Sequence, residues 1–106
     1  MHRDHVPTVP PTFHLLGSTT VSMNQGMVRF TDTDKLPTKL TPADVHIFTV
    51  QGHPEFTEPI VSKIIRVRTA SGVMDAETAA DATRRKDWQN DGVLIGKAIW
   101  KVLGQA

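Results

Sequence analysis

Residues 53–55 read His-Pro-Glu, directly after the run Val45-His46-Ile47-Phe48-Thr49-Val50-Gln51-Gly52. Imidazole is the usual general base near neutral pH. A carboxylate that accepts a hydrogen bond from one ring nitrogen fixes the tautomer and leaves the other nitrogen to move a proton. His53 and Glu55 are therefore suited to the base-plus-orienter half of a nucleophilic triad. Pro54 stiffens the backbone between them. Gly52 lacks a Cβ, so the chain is free to turn sharply as the strand ends. Ligands in open α/β sheets sit beyond the carboxyl ends of strands, which is where His53 is expected. The spacing alone also fits a strand-end histidine in a turn, with Glu55 solvated or capping the next helix, and both readings stay open at this point.

A triad needs a nucleophile. The 106 residues contain no cysteine, which excludes disulfides, thiolate metal sites and a cysteine nucleophile within them. Ser18, Ser22, Ser62 and Ser71 all lack the strand-to-helix elbow context of a catalytic serine. A metal-centred alternative reads His2-x-Asp4 with His53 as a facial triad. The two helical stripes after residue 57 argue against the double-stranded β-helix that such a site requires. His2-Arg3-Asp4 has the letters of a kinase catalytic loop, but position 9, where that loop needs asparagine, is Val9.

The elements that must position His53 and Glu55 follow from periodicity. Phe13-His14-Leu15-Leu16 predicts a short strand, Gly17 to Thr20 a turn, Gln25-Gly26 another turn, and residues 26–30 a weakly alternating second strand. Residues 31–44 form a polar, proline-punctuated loop. The run 45–50 has the strongest β character. It reads as an inner strand with both faces partly covered, as in an α/β sheet. An inner strand needs neighbours on both sides, so the chain reads as part of a larger sheet. Thr57 then predicts a helix cap with Pro59 in the first turn. Ile60, Val61, Ile64, Ile65 and Val67 stripe that helix, and Gly72 ends it. Asp75 caps a second, alanine-rich helix. Asp91 caps a third, striped by Leu94, Ile95, Ala98, Ile99, Val102 and Leu103 and closed by Gly104. Strands first and helices last predict an α/β or α+β class.

The stretch Phe48-Thr49-Val50-Gln51-Gly52-His53-Pro54-Glu55-Phe56 resembles the signature of class I glutamine amidotransferases, in which a strand runs into Q-[FG]-H-P-E. The stretch His2-Arg3-Asp4-His5-Val6, with a proline-containing link to Leu15-Leu16-Gly17-Ser18, resembles the H-x-D-x-V segment of GMP-synthase-like members. The last helix resembles the family's closing helix. The resemblance implies an α/β, flavodoxin-like domain of which residues 1–106 are the C-terminal half, and an internal position for Met1. His53 would be the base and Glu55 its orienting carboxylate, with Gln51 and Gly52 shaping the turn. His2 and Asp4 would lie near the glutamine pocket without a defined role. The family's cysteine, on a G-x-C-x-G elbow, and most of its oxyanion hole belong to the other half.

The implied chemistry is hydrolysis of the glutamine side-chain amide through a cysteinyl thioester. Ammonia passes to a synthetase partner, or a γ-glutamyl compound replaces glutamine. No cofactor or metal is implied. Without its nucleophile the chain is expected to be inactive alone. The other expectations are a non-catalytic interaction module, a gene-fragment product, or complementation by a separate N-terminal half.

Composition bears on partners. The net charge of +1 gives no electrostatic reason for nucleic acid or a membrane surface. Arg84-Arg85-Lys86, beside Asp81 and Asp87, reads as a solvated helix face. No apolar run approaches the roughly 20 residues of a membrane span. The first residues lack the apolar core of a secretory signal, so the expected location is cytoplasmic. Trp88 and Trp100 read as packing anchors and Met23 and Met27 as core fillers. His14 and His46 read as hydrogen-bonded structural residues.

Overall fold

A computed structural model describes residues 4–34, 38–39 and 41–104. Met1 and His2, and with His2 part of the H-x-D-x-V segment, lie outside the described residues. The protein is a small α/β protein whose elements run β1 (Phe13–Gly17), β2 (Gly26–Phe30), β3 (Val45–Val50), α1 (Glu58–Ala70), α2 (Ala76–Arg85) and α3 (Gly92–Val102). A 3-10 turn over Pro42–Asp44 leads into β3.

The three strands form an antiparallel meander in the order β1-β2-β3. His14 lies opposite Val28, and Val28 opposite Phe48. The central strand is β2, and its burial alternates cleanly: Gly26, Val28 and Phe30 are buried, Met27 and Arg29 are half-exposed. Strand β3, expected as an inner strand of a larger sheet, lies at one edge of these three strands. Its β-branched and aromatic composition suits a covered strand, but pairing decides position, and β2 has hairpin partners on both sides. Among the described residues β3 pairs with β2 alone. Gln25-Gly26 is likewise not a separate turn. Gly26 opens β2, and a Cβ there would stand 2.9 Å from the Thr49 carbonyl across the ladder.

Between β1 and β2, Thr19 holds the connection. Its amide donates to the Ser22 carbonyl at 2.9 Å and its hydroxyl accepts from the Ser22 amide at 3.0 Å. Ser22 and Asn24 are buried, and Asn24 Oδ1 accepts from the Gly26 amide at 3.2 Å. Before β1, Phe13 donates to the Pro10 carbonyl across a tight turn whose third residue, Thr12, has φ 70. Arg29 Nε reaches back to Thr12 Oγ1 at 3.1 Å and steadies it.

The chain divides into two compact units, Met1–His53 with Leu94–Ala106, and Pro54–Val93. The first contains the sheet, with Val28 and Phe30 as its buried apolar residues, and α3 from Leu94 onward. In the second, α1 and α2 pack together, and Ile65 and Met74 are buried. Helix α1 begins after Thr57, whose backbone is extended, with Pro59 in the first turn. Gly72, at φ 74, ends it in the left-handed conformation that a residue with a Cβ resists. Asp75 caps α2 by accepting from the Thr78 amide at 2.7 Å.

Three packing expectations are corrected. Trp88 and Trp100 are 66% and 59% exposed and Met23 is 61% exposed, so none of them anchors a core. No residue of α3 is buried, and Leu94 and Leu103 are exposed with Trp100. Residue type sets what burial would contribute, but a side chain is covered only where another element reaches it.

Candidate functional site

The β2–β3 ladder ends where the candidate chemistry begins. Thr49 Oγ1 accepts from the Met27 amide at 3.2 Å, and the Gln51 amide donates to the Gln25 carbonyl at 3.0 Å. The second bond extends the pairing one residue beyond Val50 and fixes the direction in which the chain leaves the sheet. Gln51 is half-buried at this point. It lines a cleft of about 130 Å³ with Val6, Asn24, Gly26, Met27, Thr49 and Val50. Val6 belongs to the H-x-D-x-V segment and Gln51 to the Q-G-H-P-E segment, so one residue of each stretch lines this cleft.

Gly52 is exposed, and a Cβ placed on it would meet nothing within 4 Å. It is not among the glycines of positive φ. The bend at Gln51–Gly52 thus leaves room for a Cβ and uses no left-handed φ. Gln51 retains a positional role through its ladder bond. His53 follows, exposed, as the last residue of the first unit's leading segment. Pro54 and Glu55 form a turn, and Glu55 is exposed in the second unit. Asp4 is exposed.

After the turn, Glu58 opens α1. Its carboxylate accepts from Ser62 Oγ one turn on and from Lys86 Nζ at 2.9 Å. The Ser62 hydroxyl, then Lys86, hold this carboxyl below the usual range. Lys86 is raised in turn by Glu58 and then by Asp87. Ser62 thus serves as a donor to Glu58, away from any strand-to-helix elbow. The Phe56 carbonyl accepts from Asn90 Nδ2 at 3.1 Å, and Asn90 Oδ1 accepts from the Gly92 amide at 3.0 Å. The first amide of α3 thus finds its side-chain acceptor at Asn90, whereas Asp91 was the expected cap. The Asn90 contact spans 34 positions in sequence, which no periodicity reveals. The local signal was Asn90-Asp91-Gly92 before an apolar stripe, a helix-start cluster.

Several other ionisable residues have structural partners. Arg29 Nη1 donates to His46 Nδ1 at 2.9 Å, so that nitrogen is an acceptor. The His14 ring lies 5.4 Å from that of Phe30. Arg84 and Arg85 pair with Asp81 on the exposed side of α2, and the Arg84 bond is the main cause that lowers the Asp81 carboxyl. Among the described residues no three His, Asp or Glu side chains converge as a metal site. No described helix is long and apolar enough to cross a membrane. Compared with known proteins, the chain matches no protein-family model, no curated protein and no solved structure.

Proposed function

We propose that this chain supplies the base half of a class I glutamine amidotransferase-like, flavodoxin-like domain. In this reading His53 is the general base and Glu55 the carboxylate that orients it. One imidazole nitrogen donates to Glu55, and the other takes the proton of a cysteine thiol carried by a separate half. The thiolate attacks the carbonyl carbon of a glutamine or γ-glutamyl side-chain amide. Ammonia leaves with a proton returned by His53, and water then releases glutamate from the thioester. The observation that carries the reading is the convergence of Val6 and Gln51 on one cleft beside the end of β3. Two segments that resemble the family independently, and are far apart in sequence, line the same space.

Triad members act as a unit, and loss of the nucleophile removes nearly all turnover. The chain alone is therefore inactive in this reading. Assaying glutamate release from glutamine by the purified chain tests it: turnover that His53→Ala abolishes would show a nucleophile within these residues and overturn the assignment.

A second reading, a non-catalytic interaction module, draws on a different observation. Leu94 and Trp100 of α3 and Leu103 just after it are exposed, and a cleft of about 220 Å³ lies among Phe48, Val50, Ile99, Val102 and Leu103. Among the described residues β3 pairs along one edge alone, so the first unit offers strand and helix surface to a partner. Retained His53 and Glu55 would then have no chemical task.

A further inference from the structure

We infer that the α2–α3 linker, residues 86–91, taken together with Gly92, which opens α3, positions the backbone from which Glu55 projects, with Asn90 as the positioning residue. The functional meaning rests on the assignment of Glu55 above; the geometry does not. Three contacts from this linker bracket Glu55. Gly92 lies against the Pro54 carbonyl so closely that a Cβ would be 2.1 Å from its oxygen. Asn90 Nδ2 donates to the Phe56 carbonyl at 3.1 Å. Lys86 Nζ holds Glu58 at 2.9 Å. The Pro54 carbonyl belongs to the peptide bond that enters Glu55, and the Phe56 carbonyl lies one residue beyond it. Both sides of the turn are thus fixed by one short segment of the same unit.

Asn90 uses both ends of its amide. Oδ1 faces an N–H donor, the Gly92 amide, and Nδ2 faces an acceptor, the Phe56 carbonyl. Only a side chain with a donor and an acceptor on one planar group satisfies both. Aspartate keeps the acceptor for Gly92 and loses the donor, and it sets a carboxylate against the Phe56 carbonyl. Alanine loses both. The linker therefore couples the start of α3 to the Glu55 turn, and Asn90→Asp separates the two bonds.

The test is residue-resolved ¹⁵N relaxation on the full chain, comparing the parent with Asn90→Asp and Asn90→Ala. In the parent, residues 55–57 are expected to be rigid, with order parameters of about 0.85. In Asn90→Asp they are expected to fall below about 0.6, the flexible range, while residues 93–95 stay rigid. In Asn90→Ala both segments loosen. Residues 62–68 of α1 stay rigid in all three, which a general loss of structure would not allow. A parent already flexible at 55–57, an Asn90→Asp variant unchanged there, or a uniform loss across residues 54–93 would overturn the inference. None of these readings depends on glutaminase turnover, so failure of the amidotransferase assignment leaves the outcome separately legible.

Discussion

Helix α3 carries two glycines whose replacement by alanine has opposite consequences. At Gly96 a Cβ would meet nothing within 4 Å, so alanine contributes only helix propensity, about 0.8–1 kcal/mol of stabilisation. At Gly92, the first residue of the helix, the same Cβ would stand 2.1 Å from the Pro54 oxygen and 3.0 Å from Asn90 Oδ1. Real Cβ contacts essentially never fall below 3.0 Å, so the backbone must open by at least 0.9 Å (3.0 minus 2.1). The Pro54 carbonyl is main chain and has no rotamer by which to retreat. Overpacking of this kind costs about 1–3 kcal/mol. The propensity gain at a first helical position is below its interior value, so the net effect is a loss of about 1–2 kcal/mol. Urea titration followed by far-UV circular dichroism measures both variants against the parent, with m checked for constancy. Gly96→Ala should raise the midpoint and Gly92→Ala should lower it. If Gly92→Ala is as stable as Gly96→Ala, helix α3 does not start against the Pro54 carbonyl, and the bracketing of Glu55 by the linker fails with it.

Gly52→Ala should leave stability unchanged or raise it by up to about 1 kcal/mol, because the position is open and no left-handed φ is involved; a clear loss in urea titration would mean the bend needs glycine after all. Phe30→Ala removes one of two buried apolar side chains of the sheet unit and should cost about 3–5 kcal/mol, seen as loss of strand amide protection in hydrogen exchange. Asp44, Asp75 and Asp81 are lowered from an ordinary 3.8 and Glu58 from 4.5, mainly by hydrogen bonds from Thr41, Thr78, Arg84 and Ser62 respectively. Lowered folded-state values mean that their stabilisation is complete above the ordinary values and is lost as pH falls through the folded ones. Thermal melts should therefore show Asp75→Ala less stable than the parent at neutral pH, with the gap closing in acid; a gap that widens in acid has the wrong sign.

Much of the fold was legible because its signals are local. Strands β2 and β3 start and stop where β-branched and aromatic runs meet glycine or polar residues. Helices α1 and α2 follow Thr57-Pro59, Gly72 and Asp75, whose roles are set by one turn of chain. The order of the three strands was not legible, because it depends on which segments return to pair. Trp88, Trp100 and Met23 were misread for a related reason: large apolar type does not bring a partner. At the candidate site, the His53-Pro54-Glu55 stretch was visible as a motif, and the ladder bond of Gln51 fits its expected place at the strand end. Asn90 and Gly92 were passed over because their partners, Phe56 and Pro54, are distant in sequence and contacted through backbone atoms, which carry no residue-type signature.

The central claim is that His53 and Glu55 form the base half of a triad whose nucleophile lies on a separate half. It is tested most directly by glutamate release from glutamine in two samples. One holds this chain alone, the other this chain co-expressed with the cysteine-elbow half of a GMP-synthase-like amidotransferase. The account predicts no release from the chain alone, release from the pair, and loss of that release on His53→Ala. Release from the chain alone, or a pair that assembles yet shows no His53-dependent release, would contradict it.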